Sequence, residues 1–263
     1  MKKKKLAMIM VLSVLLTAIF TGCSQTAAKS GTLRVGVRDD IMNLGYHSEV
    51  TGKYYGLEID LANALAAEMG YKDVEFTPVQ PETRKDTLLN GDVDCLIAAY
   101  TIADSRLENF DFSAPYYTDT LKVMVETSTT FTNIEELKNK KIGVLSGSSA
   151  GPQIVERMQE LGLLPGADEE VPEENIGFEV VKIDSYEELN TALEEGTIDA
   201  VCMDGCIAQT YLTDSRRFLD VEFTEQQYGV ATQKDSELSS AVAAAVDKLL
   251  EDGTIDKLVD KWN

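Results

Sequence analysis

The sequence predicts an α/β protein built on doubly wound, largely parallel sheets, and three observations lead there. Short apolar runs that read as strands alternate with longer stretches of helical period from Thr32 almost to the last residue. Some runs are apolar throughout, above all residues 93–99 behind the turn signal Asn90-Gly91-Asp92, which is the pattern of a strand covered on both faces. The architecture then recurs: residues 119–224 repeat the strand and helix order of residues 32–118 without repeating its sequence.

Residues 1–22 read as a targeting segment. Four lysines, Lys2 to Lys5, precede an apolar run over 6–20 that is shorter than the ~20 residues of a permanent membrane helix. Thr21-Gly22-Cys23 then forms a small-residue processing site, and a Cys at that point marks a bacterial lipoprotein whose thiol takes a diacylglycerol. A plain secretion signal with a free Cys23 is the alternative. Residues 23–31 form a short polar tether, so the protein is expected outside the cytoplasm, lipid-anchored to the outer face of the membrane.

The net charge is −21, and loss of the four leader lysines takes it to −25. Nucleic acid is excluded as a partner, because phosphate contacts need clustered Lys and Arg. With one histidine, His47, and the cysteines Cys95, Cys202 and Cys206 in the body of the chain, no metal set is expected. A Cys202–Cys206 disulfide is conceivable in an exported protein, but two buried thiols is the favoured reading.

Residues 32–37 form the first strand, ending at Arg38. A helix over 56–70 carries Ile59, Leu61, Ala62, Leu65, Ala66 and Met69 on one side, with Glu58 and Asp60 at its positive end. A strand over 74–79 follows, and Pro81 opens a short helix to Leu89 with Arg84 in its first turn. The buried run 93–99 then delivers Ala98, Ala99 and Thr101, with Arg106 just beyond, to the strand end where open α/β sheets bind ligands. Carbonyls, a hydroxyl and a guanidinium arriving together suit the ammonium and carboxylate of a free amino acid.

In the second half, strands are expected over 121–125, 141–145, 178–183 and 198–203, the last delivering Asp204. Thr132–Glu135 and Ser185–Glu188 read as capping boxes. Gly147-Ser148-Ser149 opens a helix reaching about Leu161, whose free N–H groups suit a carboxylate. The acidic stretch 164–177 is a surface excursion. The chain closes with a strand over 228–232, a helix over 237–250 stopped by Gly253, and a last short helix over 254–262.

Thr101-Ile102-Ala103-Asp104-Ser105-Arg106 followed by Phe112-Ser113-Ala114-Pro115-Tyr116-Tyr117 resembles the signature of bacterial extracytoplasmic solute-binding proteins, family 3, which serve polar-amino-acid ABC importers. Ala103 stands where a second Thr is common. Further landmarks follow in order, among them Gly56-Leu57-Glu58-Ile59-Asp60-Leu61, Asp199-Ala200-Val201-Cys202-Met203-Asp204 and Lys261-Trp262. The resemblance implies a two-lobed periplasmic-binding-protein-like fold (type II), each lobe a doubly wound sheet, joined by two crossovers hinged near Thr118 and Glu225. Lobe 1 is then 32–118 with 225–263, and lobe 2 is 119–224; the residues alone suggest two successive α/β units.

The same resemblance implies a monomeric carrier without cofactor or catalysis, which closes on a free amino acid and delivers it to an ABC permease with its ATPase subunits. It places Arg106 on the ligand α-carboxylate, aided by Ser148 and Ser149. Asp204, with Thr101 and the carbonyl of Ala99, receives the α-ammonium. Arg38 and Arg84 face the ligand side chain, as the corresponding residues do in aspartate/glutamate-binding members, and Tyr186 and Tyr228 fall at hydrogen-bonding positions. Each has a plainer reading: a helix-end Arg106, N-capping serines, a turn at Asp204, a salt bridge from Arg38 to Asp39 or Asp40, a solvated Arg84 beside Glu82 or Asp86, and packing tyrosines. Three guanidiniums in one cleft argue for aspartate or glutamate, and screening within about 8 Å keeps the acidic surface from deciding otherwise. A dehydratase-like enzyme on the same fold and a ligand-sensing receptor domain are the alternatives, although neither a triad nor a metal set is visible and Glu58 reads as a helix start.

Overall fold

The computed structural model describes residues 31–165 and 177–263. The expected leader, Cys23, most of the tether and most of the acidic excursion lie outside these residues. Among the described residues no helix is long and apolar enough to cross a membrane.

The first stretch runs β1 (Thr32–Val37), a three-stranded hairpin of β2 (Asp40–Ile41), β3 (Gly45–Ser48) and β4 (Lys53–Tyr55), α1 (Leu57–Glu68), β5 (Asp73–Pro78), α2 (Arg84–Leu89), β6 (Cys95–Ile97), α3 (Asp104–Leu107) and β7 (Phe110–Phe112). Twelve residues make a marginal helix alone, so α1 depends on docking. Its Leu61 and Leu65 are fully buried with Leu33 and Val35 of β1, and each such side chain contributes about 1.5–3 kcal/mol. Gly56 starts this helix at φ +127°, where an added Cβ would lie 2.2 Å from the Leu44 carbonyl oxygen.

The chain continues through β8 (Tyr117–Asp119), β9 (Leu121–Glu126), β10 (Lys141–Leu145), α4 (Ala150–Glu160), β11 (Glu179–Ile183), α5 (Tyr186–Glu194), β12 (Ala200–Asp204), α6 (Gly205–Thr210), β13 (Arg216–Phe218), β14 (Gln226–Tyr228), β15 (Ala231–Gln233), α7 (Glu237–Glu251) and α8 (Thr254–Trp262). Two five-stranded sheets result, ordered β5-β1-β6-β15-β7 and β11-β10-β12-β9-β13. Both have a parallel heart, β1 between β5 and β6 and β10 between β11 and β12, extended by antiparallel strands where the chain returns. The first sheet therefore takes β15 from the far end of the chain. The two passages between the sheets run side by side as the antiparallel ladder β8–β14, pairing Tyr117 with Tyr228 and Asp119 with Gln226.

Three local expectations are corrected. The strand expected over 228–232 is two strands, because Tyr228 ends the ladder with β8 while Ala231 already pairs in the first sheet. The capping box sits one residue later than Thr132: Asn133 accepts from the Glu136 N–H at 3.3 Å, and the Glu136 carboxylate accepts in return from the Asn133 N–H, closing a single 3-10 turn over Ile134–Leu137. The buried run 93–99 is regular only over β6, because Ala99 turns left-handed at φ +48°. The second box keeps one half, with Ser185 accepting from the Glu188 N–H. Cys95 and Cys202 are buried free thiols, and Cys206 is a partly buried one.

Candidate functional site

The carboxyl ends of β1 and β6 in one sheet, and of β10 and β12 in the other, meet across a narrow cleft that is nearly filled, with a cavity of only about 10 Å3. Seven of the ten binding residues expected from the sequence line it: Arg38, Arg84 and Ala99 on one side, Ser148, Ser149, Tyr186 and Asp204 on the other. Thr101, Arg106 and Tyr228 are not part of this lining. The walls touch at the rim, where a Cβ on Gly147 would come within 3.0 Å of the backbone of Pro81 and Glu82.

Arg84 is 3% exposed, and its Nη1 donates to the carbonyls of Ala98 (2.7 Å) and Ala99 (3.2 Å). The left-handed turn at Ala99 brings these carbonyls to it. Nε of Arg84 has no partner, and no carboxylate forms an ion pair with this side chain among the described residues. Burial, then the charges of Arg106 and Arg38, push its pKa down to about 9. The solvated alternative for Arg84 is thereby set aside: this cation is buried and short of an anion.

Arg38 is placed differently. Its guanidinium grips Asp40 with two bonds, Nε to Oδ1 at 2.9 Å and Nη2 to Oδ2 at 2.6 Å, and also donates to Gln80 Oε1. The salt-bridge alternative is thus realised, with Asp40 as the acid. Only Arg84 and Arg106, not three guanidiniums, bring positive charge without a paired carboxylate. Arg106 is half-buried, donates to the Thr101 carbonyl at 2.6 Å, and lies over the Tyr100 ring 4.3 Å from its centroid. Arg84 lies over the same ring at 4.4 Å. Tyr100 so holds two like charges over its ring, each drawn by the negative face of the quadrupole.

Opposite them, Asp204 ends β12 as a buried carboxylate, its pKa raised by burial and by the charge of Asp119. Ser149 turns its hydroxyl into the site, whereas the Ser148 hydroxyl donates back to the Leu145 carbonyl at 2.7 Å. Tyr186 and Tyr228 are both buried, and the Tyr228 hydroxyl lies beside Asp204, where it favours the charged carboxylate.

Two participants were not foreseen. Gln226, 3% exposed on β14, donates to Asp204 and accepts from Thr101 Oγ1 (3.1 Å), Ser149 Oγ (2.9 Å) and Gln153 Nε2 (3.2 Å). Only the preceding hinge expectation near Glu225 pointed to this neighbourhood. Glu58, read as a helix start, is fully buried; its Oε1 accepts from the Ala99 N–H at 2.7 Å and from the Tyr116 hydroxyl at 2.5 Å. Burial raises its pKa. It thereby pins the left-handed turn whose carbonyls hold Arg84.

A larger hollow of about 510 Å3 is lined by Met42, Leu44, Tyr117, Trp262, and Cys206 and Gln209 of α6. Trp262 donates its indole N–H to Asp60 at 2.7 Å. Among the described residues no group of three His, Cys, Asp or Glu is arranged to hold a metal ion.

Residues 33–263, nearly all of the described chain, match the model of the bacterial extracellular solute-binding proteins, family 3. The chain belongs to that family. It is 28% identical over 233 residues to the ABC transporter glutamine-binding protein of Bacillus subtilis, covering 86% of this chain and 79% of the relative. It is 27% identical over 250 residues to the glutamate-binding protein of Corynebacterium glutamicum, covering 89% and 79%. Among solved structures, an ancestral arginine-binding protein bound to arginine superposes with a TM-score of 0.75 at 32% identity, covering 88% of this chain and 98% of that one. The two-lobed binding-protein fold expected from the sequence is therefore the fold of this family member, and its relatives named here are transport binding proteins rather than enzymes.

Proposed function

We propose that this chain is the extracytoplasmic binding component of an amino-acid ABC importer and that it captures a free acidic amino acid, aspartate or glutamate, between its two sheets. The observation that carries the reading is Arg84: a buried cation facing the cavity with backbone carbonyls for partners and no carboxylate. A ligand side-chain carboxylate supplies the missing counter-charge, and the planar guanidinium suits it. Arg106 with Ser148 and Ser149 takes the α-carboxylate, while Asp204, Thr101 and the Ala99 carbonyl take the α-ammonium. Tyr186 and Tyr228 add hydroxyls. Arg38, held by Asp40, forms the wall and contributes less charge than its type suggests. The relatives named for glutamine, glutamate and arginine share the general amino-acid chemistry and differ in ligand, which leaves the side-chain pocket to decide specificity.

In this reading lobe 1 is 32–118 with 225–263 and lobe 2 is 119–224, turning about the β8–β14 ladder near Thr118 and Glu225. Residues 1–22 direct export, lipidated Cys23 and the tether 23–31 hold the monomer at the membrane, and the closed protein meets its permease and ATPase subunits there. A dehydratase-like enzyme is the competing reading; Glu58 is its best acid, yet it does not line the cavity. Incubation with amino acids and prephenate-like acids, followed by product analysis, separates the two.

Calorimetry with aspartate, glutamate, asparagine, glutamine and arginine tests the ligand. The acids are expected to bind more tightly than their amides by roughly 2–3 kcal/mol, the scale of a hydrogen bond to a charged group. Equal affinities for acids and amides, or tighter binding of arginine, would overturn the acidic reading and leave the fold untouched.

A further inference from the structure

Gln226 does something no binding residue in the expected set does: it reaches both walls of the cleft at once. Its carboxamide N–H donates to Asp204 at the end of β12, and its carbonyl oxygen accepts from Thr101 beyond β6 and from Ser149 and Gln153 at the cap and first turn of α4. Asp204, Thr101 and Ser149 are also the groups assigned above to the ligand's ammonium and carboxylate. One face of the amide thus stands where an ammonium would, and the other where a carboxylate oxygen would.

The fit is that of a neutral stand-in. A carbonyl oxygen has two lone pairs, yet three donors converge on this one. Such a surplus suits a carboxylate, which accepts more bonds and stronger ones. Asp204, a buried acid, likewise receives a neutral amide N–H where a cation would pair its charge. The ladder fixes the backbone of Gln226 opposite Asp119 at the crossover, so the side chain stays tethered beside the clamp whichever way the lobes swing.

Resting on the amino-acid clamp proposed above, we propose that Gln226 is a tethered surrogate ligand: in the ligand-free protein its carboxamide fills the zwitterion clamp and latches the lobes together, and an incoming amino acid must displace it. Gln226 then sets affinity. Where the latched form outnumbers the receptive form tenfold, the apparent Kd is weakened by about that factor.

The test uses Gln226→Ala and Gln226→Asn, the second keeping an amide one methylene too short to span both walls. Small-angle scattering of the ligand-free proteins reads the latch, and calorimetry with L-glutamate and L-glutamine reads the competition. The expected result is a larger radius of gyration than wild type without ligand, and about tenfold tighter binding of whichever probe wild type binds. An unchanged radius in both variants overturns the latch. A larger radius with weaker or unchanged binding overturns the surrogate role and makes Gln226 a ligand contact. If neither probe binds wild type, the clamp reading is what fails, and the radius alone then decides whether Gln226 latches the lobes.

Discussion

In the proposed clamp two arginines divide the work of recognition, and their surroundings say how. Arg84 has no acidic partner, so Arg84→Gln is expected to narrow the gap between glutamate and glutamine affinities while the α-carboxylate clamp persists, as calorimetry of both ligands will read. Arg106→Ala is expected to weaken every amino acid alike by about 2–5 kcal/mol, the usual loss when one member of a buried charged pair is truncated. Binding of the best ligand within threefold of wild type would withdraw that assignment. Glu58 makes a prediction about pH. Its pKa is raised in the folded state, so its contribution to stability is fully present below the ordinary Glu value of about 4.3 and is lost as pH rises through the folded value. Glu58→Gln lacks that loss. Its melting temperature is therefore expected to gain on wild type as pH is raised from about 4 to about 8, and a pH-independent difference would refute the assignment.

The elements bear out which kinds of signal a sequence transmits. Helix α1 was legible because its apolar period and its closing Gly70 are local; the tight start at Gly56 was equally local and has a measurable cost. Gly56→Ala must place a Cβ against the Leu44 carbonyl at a positive φ, and urea denaturation is expected to register a loss of roughly 1–3 kcal/mol or more. The parallel hearts of both sheets were legible for the same reason. What escaped were facts settled by distant partners. Nothing around Tyr228 announces that the chain changes sheets between Tyr228 and Ala231, since the ladder partner is Tyr117, far back in the chain. The left-handed turn at Ala99 depends on Glu58, forty-one positions away, and an alanine gives no local hint of it. Among site residues, Arg38 could be placed by its strand end, but whether it faced ligand or Asp40 was decided by side-chain packing. Gln226 carried no signal beyond the hinge expected near Glu225, because its side-chain partners are all remote in sequence.

For the whole molecule, the close approach of Gly147 to Pro81 and Glu82 implies that closure tolerates little bulk at the rim. Gly147→Leu is expected to weaken amino-acid binding by about 1–3 kcal/mol, the usual cost of overpacking a fitted contact, and scattering should find the liganded variant less compact than liganded wild type. A ligand binding only the native protein at a hundred times its Kd should also stabilise it by about 2.7 kcal/mol, visible as a raised melting temperature. The hollow beside the ladder has a consequence of another sort. Trp262 is the chain's single tryptophan, and it lines this hollow together with Met42, Leu44, Tyr117 and residues of α6. Any swing of one sheet against the other changes the water and the dipoles around one indole and no second one. The emission of the unlabelled protein is thus a one-fluorophore gauge of opening: its wavelength should shift when a ligand that moves the lobes is added, and should stay still for an amino acid that does not bind.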